Sequence, residues 1–189
     1  MMWKNSDSDY GNISKCLHWL AALTVFSLFG LGLWMVELDY YDSWYRKGPN
    51  LHRSIGVLLM LLMLGRLIWL MFSNKPQPLA SHRPWERALA TIVQWLMIIL
   101  IFTIGITGYL ITTADGLAVD VFNWFSIPSS GKWISNQEDL AGDLHKYLAY
   151  SMVSLALLHA IAAFKHHFID KDTTLKRMGF YHSINTKRS

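Results

Sequence analysis

Two histidines set the problem that the rest of this chain must solve. His145 and His159 stand fourteen residues apart in the last long apolar run, DLHKYLAYSMVSLALLHAIAAFKHHF, residues 143–168. On a helix of 3.6 residues per turn they share one face, separated along the axis by roughly 21 Å. Imidazole nitrogen is a ligand for iron, zinc and copper, so this spacing points to two separate centres. Each centre needs a second ligand from elsewhere in the chain. His18 and His52, near the starts of two earlier apolar runs, are the available partners.

The elements that must position these residues follow from composition. The chain has 189 residues, of which 52% are hydrophobic and 14% aromatic. Four runs with few charges, at about 15–36, 50–72, 85–112 and 143–168, are each long enough to cross a hydrocarbon core of about 30 Å. This predicts an all-α integral membrane protein: one membrane domain over residues 1–189, built as a bundle of four transmembrane helices with a polar tail from about 169 to 189. Residues 1–15 are polar, and no cleavable signal peptide is expected. The single cysteine, Cys16, forms no internal disulfide, and without a C-x-x-C-H motif any haem is held non-covalently. The net charge of +4 is gathered at span ends, which points to membrane lipid and excludes nucleic acid as a partner. Pro76, Pro78 and Pro84 break the chain between the second and third runs. The third run has no histidine, and its Gly105 and Gly108 let a neighbouring helix approach, so its expected role is packing. The longest connection, residues 113–142, is expected to hold a short amphipathic helix along the interface.

Orientation comes from the loop charges. With four spans, Lys4, Lys15, Lys75, Arg83, Arg87, Lys171, Lys176, Arg177, Lys187 and Arg188 fall on one side and Arg46, Lys47 and Lys132 on the other. The positive-inside rule then places both termini in the cytoplasm of a bacterium, with the chain in the inner membrane. Histidine depths follow. His18 and His159 lie towards the cytoplasm, and His52 and His145 towards the periplasm. Two trans imidazoles on each iron leave no open position, so the centres carry electrons and do not bind oxygen. Zinc fits poorly, because a structural site takes four ligands. The competing reading is that each histidine merely bonds a neighbouring helix, and four residues that pair by depth weigh against it.

Further residues complete the sites. Arg66 lies level with the inner pair, where its guanidinium either holds a haem propionate or snorkels to the headgroups. Arg53, beside His52, is the corresponding residue for the outer haem. Ala149, Ala156 and Ala163 form a stripe against which a flat macrocycle could lie, and Gly56, one turn after His52, invites the same reading. His166, seven residues beyond His159 and next to Lys165 and His167, suits either a quinone carbonyl that needs a proton or an anionic lipid. His82 and His182 stand in polar segments and are expected to face solvent.

The segments ISKCLHW around His18, LHRSIG around His52, LHKYLAY and LLHA in the last span, and KHHFIDKDTTLKRM after it are together similar to the bacterial cytochrome b-561 proteins. That resemblance, over about residues 13–178, implies a four-helix cytochrome with two b haems and electron exchange with ubiquinone near the inner one. One branch of the family resembles a superoxide oxidase, which passes electrons from periplasmic superoxide to ubiquinone. On the outer side Arg46, Lys47, Arg53, Lys132 and Lys146 would attract an anion. Glu37, Asp39, Asp42, Asp115, Glu138, Asp139 and Asp143 oppose them. The alternative function is a haem-bearing membrane anchor, an electron-transfer subunit for a periplasmic dehydrogenase or hydrogenase. A bundle without haem is the third reading. The orientation has its own check: a fluorescent protein fused after Ser189 is expected to fluoresce, and alkaline phosphatase fused there to be inactive. An active phosphatase would invert the assignment of the two haem depths.

Overall fold

The computed structural model describes residues 2–79 and 81–179, so His182 and the end of the tail lie outside the described residues. The chain runs α1 (Asn12–Met35), α2 (Lys47–Phe72), α3 (Pro84–Thr113), β1 (Val119–Val121), β2 (Phe125–Ile127), α4 (Gln137–Phe168) and α5 (Thr174–Met178). The helices α1 to α4 are long and apolar enough to cross a membrane. Leu23, Ile68, Ile92, Ile99 and Ile161 are exposed on their outer faces, where only lipid solvates them without cost.

Local sequence explains where these helices begin. Pro84 occupies the first position of α3, where its missing N–H costs nothing, and the Glu86 carboxylate accepts the Arg83 backbone N–H at 2.9 Å. Glu138 and Asp139 open α4 and Lys165, His166 and His167 close it, each set opposite in sign to the helix dipole it meets.

The closest backbone packing pairs α1 with α2 and α3 with α4, whereas α1 and α4 approach each other sparsely. A central layer of Ala21, Leu28, Leu59, Met63, Ile101 and Met152 joins the pairs. Gly105 gives the Met60 side chain of α2 access to the α3 backbone, as its lack of a side chain suggested.

One end of the bundle gathers three chain segments. Trp69 Nε1 donates to Ser14 Oγ at 2.8 Å, Gln77 N–H to Asp7 O at 2.7 Å, and Asn5 Nδ2 to Asn74 O at 2.9 Å. Arg177 donates to Gln77 O at 2.7 Å and Trp19 Nε1 to Met178 O at 2.8 Å. The N-terminal segment, the α2–α3 link and the segment after α4 therefore share an end, which requires an even number of crossings.

At the other end the structure corrects the expected interfacial helix. The long connection holds an antiparallel hairpin in which Val119 pairs with Ile127, Asp120 with Ser126 and Val121 with Phe125. Val119 and Val121 are buried while Asp120 points out, the period-two pattern of a half-buried strand. Phe122 and Asn123 turn the chain with φ of 47° and 59°, and Trp124 N–H closes the turn on Val121 O at 2.8 Å. Ser54 of α2 holds the hairpin: its hydroxyl donates to Asp120 O and accepts from Phe122 N–H, both at 3.2 Å. Ser54→Ala leaves a buried donor and acceptor without partners and is expected to cost about 1–3 kcal/mol. A lowered thermal unfolding midpoint in detergent would show this; an unchanged midpoint would mean that the apolar contacts of Val119 and Val121 suffice.

Candidate haem-binding site

The structure brings the four histidines together as two pairs. The rings of His52 and His145 have centroids 6.1 Å apart at an interplanar angle of 64°, and those of His18 and His159 are 6.4 Å apart at 63°. A metal–imidazole bond of about 2 Å, plus about 1.1 Å from nitrogen to ring centre, sets two trans imidazoles about 6 Å apart. Both pairs have that separation. Neither pair is hydrogen bonded internally, and among the described residues the four Nε2 atoms make no hydrogen bond. Facing imidazoles at this distance fit one iron between them and fit each other poorly.

The supporting contacts fix the rings. His145 Nδ1 donates to the Ile104 carbonyl at 3.0 Å and lies 3.2 Å from Thr107 Oγ1. That bond settles the tautomer and leaves the Nε2 lone pair free for a metal. A Cβ on Gly108 would stand 3.1 Å from His145 Cε1, and one on Gly32 would stand 3.4 Å from His52 Cε1, so each glycine makes room for one imidazole edge. His52 Nδ1 is buried without a partner among the described residues. The role of α3 thus exceeds packing: it orients His145. A backbone carbonyl leaves no mark in a sequence, and the signal that was present was Gly108 one turn from Ile104.

Arg66 Nη2 lies 3.5 Å from His18 Nδ1, so the guanidinium turns to the His18 and His159 pair. No carboxylate pairs with it among the described residues, which leaves its charge free for an acidic ligand group. Arg53 is half-buried and hydrogen bonds Asn50 Oδ1, within one turn of His52. Ala156 is buried and Ala149 and Ala163 are half-buried on the inner face of α4. A Cβ on Gly56 would touch nothing within 4 Å, so no neighbouring helix packs on that residue.

His166 sits at the end of the bundle where the termini gather, in a cluster that sequence alone does not assemble. Its Nδ1 lies 2.7 Å from Asp170 Oδ2 and 3.8 Å from Asp172 Oδ2. His82, expected in solvent, is instead half-buried: its Nε2 is 2.8 Å from Asp172 Oδ2 and its ring is 4.5 Å from that of His166. The α2–α3 link and the turn after α4 meet here, a long-range contact invisible in local composition. Hydrogen bonding from Lys165, and then from His166, holds the Asp170 carboxyl below the usual carboxylate range. At Asp172 burial acts to raise the pKa, but hydrogen bonds from Thr174 and His82 prevail and the carboxyl also lies below its ordinary value.

A four-helix membrane bundle that presents two facing imidazole pairs at different depths defines a membrane electron-transfer cytochrome. Residues 9–180 match the family of prokaryotic cytochrome b561, and the chain belongs to that family. It is therefore a bacterial multi-pass membrane protein that binds b-type haem. It is 49% identical over 178 residues to cytochrome b561 homolog 2 of Escherichia coli (strain K12), covering 94% of this chain and 95% of that protein. It is 26% identical over 174 residues to the probable superoxide oxidase CybB of Yersinia pestis, covering 89% and 94% respectively. Cytochrome b561 homolog 1 of Escherichia coli (strain K12) is similar at 25% over 169 residues, covering 86% and 92%.

The glycine contacts yield a direct check. Gly108→Val adds bulk against His145 and is expected to lower the ratio of b haem to protein in a pyridine haemochrome assay. Gly30→Ala, where a Cβ meets nothing within 4 Å, is expected to leave it unchanged.

Proposed function

We propose that this cytochrome holds two b haems, one between His52 and His145 and one between His18 and His159, and conducts single electrons through them to ubiquinone. The separation of each imidazole pair carries this reading, because 6.1 and 6.4 Å match two ligands on one iron at both depths. When bound, the haems supply reversible one-electron exchange at iron. The chain supplies everything else.

His145 keeps its ring turned by the Ile104 carbonyl, and His52 and His18 approach from the α1–α2 side of the bundle. Each imidazole pair would hold one haem through its two nitrogens, and a haem held in this way would carry electrons. The apolar layer around Met63 and Met152 lies between the two depths and keeps water from joining them. Arg66 offers its unpaired guanidinium to a propionate at the inner pair, and Arg53 is placed for the same work at the outer one.

Quinone reduction needs two electrons and two protons. His166, with 15% of its side chain exposed and its Nδ1 2.7 Å from Asp170 Oδ2, stands two helical turns beyond His159, where its ring is placed to hydrogen bond a quinone carbonyl. Lys4, Lys15, Lys75, Arg83, Arg87, Lys171, Lys176 and Arg177 surround that end, which the positive-inside rule assigns to the cytoplasm. Electrons then enter at the hairpin end, in the periplasm. Superoxide is the donor we put forward, supported by the similarity to the probable superoxide oxidase and by Arg46, Lys47 and Lys146 near that end. Lys132 is less available, since it pairs with Glu138 at 2.9 Å.

His159→Ala is expected to retain one b haem per chain and His52→Ala the other, read by haemochrome and by reduced-minus-oxidised spectra. Retention of two haems by either variant would refute the ligand assignment. In the wild-type protein superoxide is expected to reduce the haem and ubiquinone to reoxidise it. Haem that superoxide leaves oxidised, but a quinol reduces, would remove the donor and keep the cytochrome.

A further inference from the structure

We propose that His82, His166 and Asp172 form a binding site for a divalent transition-metal cation of the Zn²⁺ class at the end of the bundle where the chain termini gather. The three ligand atoms, His82 Nε2, His166 Nδ1 and an Asp172 carboxylate oxygen, lie within 4.8 Å of one another. The two spacings to Asp172 Oδ2 are 2.8 and 3.8 Å. Ligand atoms about 2.0–2.2 Å from a tetrahedral ion stand about 3.4 Å apart, so a small closure around a cation satisfies all three. The three side chains are shielded from water, with 19%, 15% and 6% of their surfaces exposed for His82, His166 and Asp172.

Charge supplies the second argument. Asp170 and Glu86 share the ammonium of Lys165, at 2.6 and 3.4 Å. Asp172 is more buried than either and has no lysine or arginine partner among the described residues. Among the described residues only two imidazoles and the Thr174 amide and hydroxyl face it, and the same hydroxyl lies 3.1 Å from His82 Nε2. A buried carboxylate beside two imidazoles is a donor set with cation-shaped demand, and its nitrogen content selects zinc, copper or nickel over magnesium or calcium. Asp170 Oδ2, 2.7 Å from His166 Nδ1, is placed to become a fourth ligand at the expense of its bond to Lys165. A bound ion would tie the α2–α3 link, the end of α4 and the turn after it into one unit. It would also occupy the His166 nitrogen nearest the carboxylates, so the consequence for quinone rests on the proposed function while the binding itself does not.

The haem-loaded full-length protein, stripped with a chelator in detergent, is titrated with ZnCl₂ by calorimetry. About one tight site per chain is expected, with a raised thermal unfolding midpoint. His82→Ala and Asp172→Asn should each weaken binding by at least about 100-fold, more than the loss of an outer-shell partner costs. An unchanged haem spectrum in each variant certifies its fold. Should a variant lose that spectrum, Co²⁺ added to the wild-type protein takes its place, and the visible bands of a nitrogen- and oxygen-ligated ion are expected. No saturable Zn²⁺ binding, binding unaffected by both substitutions, or the absence of Co²⁺ bands would overturn the site. Tight Zn²⁺ binding that leaves quinone reduction unaltered would keep the site and remove His166 from the quinone reaction.

Discussion

The whole structure depends on four half-buried imidazoles whose Nε2 atoms make no hydrogen bond among the described residues. A polar nitrogen facing apolar surroundings costs free energy unless something bonds it, and among the described residues the bundle reaches these rings only at Nδ1 of His145 and His18. His145 is held by a carbonyl at Nδ1 and left open at Nε2. Nε2 is likewise without a hydrogen bond at the other three histidines among the described residues, and the four rings stand as two close pairs. A bundle that wanted merely to bury these rings would have closed them on a serine or a carbonyl. Metal ligation is the one chemistry that turns two such costs into a gain at once.

From that constraint the division of labour among the helices follows. α4 carries one histidine of each pair, so in the proposed assignment its rigid rise would fix the distance between the two haems. α1 and α2 carry one partner each and pack closely on one another, while α3 packs on α4 and orients His145. The sparse approach of α1 to α4 is then a requirement: tight packing there would fill the space between facing rings. Stability must come from elsewhere, and the apolar layer around Met63 and Met152 supplies it at mid-depth. The two ends are tied by polar contacts, Ser54 to the hairpin on one side and the Trp69–Ser14–Asn5 chain on the other.

Much of this was legible in the sequence because membrane helices obey few rules. Length and polarity limit what can span, and helical periodicity turns residue number into depth, so His18 could be matched with His159 before any coordinates. The illegible parts share a physical cause. The bond from His145 Nδ1 to Ile104 runs to a backbone atom, which no residue type encodes. The hairpin rests on a two-residue turn with positive φ at Phe122, a residue rarely found there, so its strand pattern of Val119, Asp120 and Val121 was overshadowed by the aromatic content that suggested an interfacial helix. His82 reads as a surface residue because its partner Asp172 is 90 positions away.

The two ends of the bundle also differ in the kind of chemistry they can support. At the hairpin end the outer pair is capped by buried valines, and the nearby charges are mixed in sign. At the opposite end Arg66 adjoins the inner pair, and two helical turns further His166, Asp170, His82 and Asp172 form a contiguous polar cluster. In the proposed function, electrons moving between the ends would reach this cluster only after the second haem. Such an arrangement would separate a one-electron input from quinone reduction, because a single helix places His145, His159 and His166 in that order.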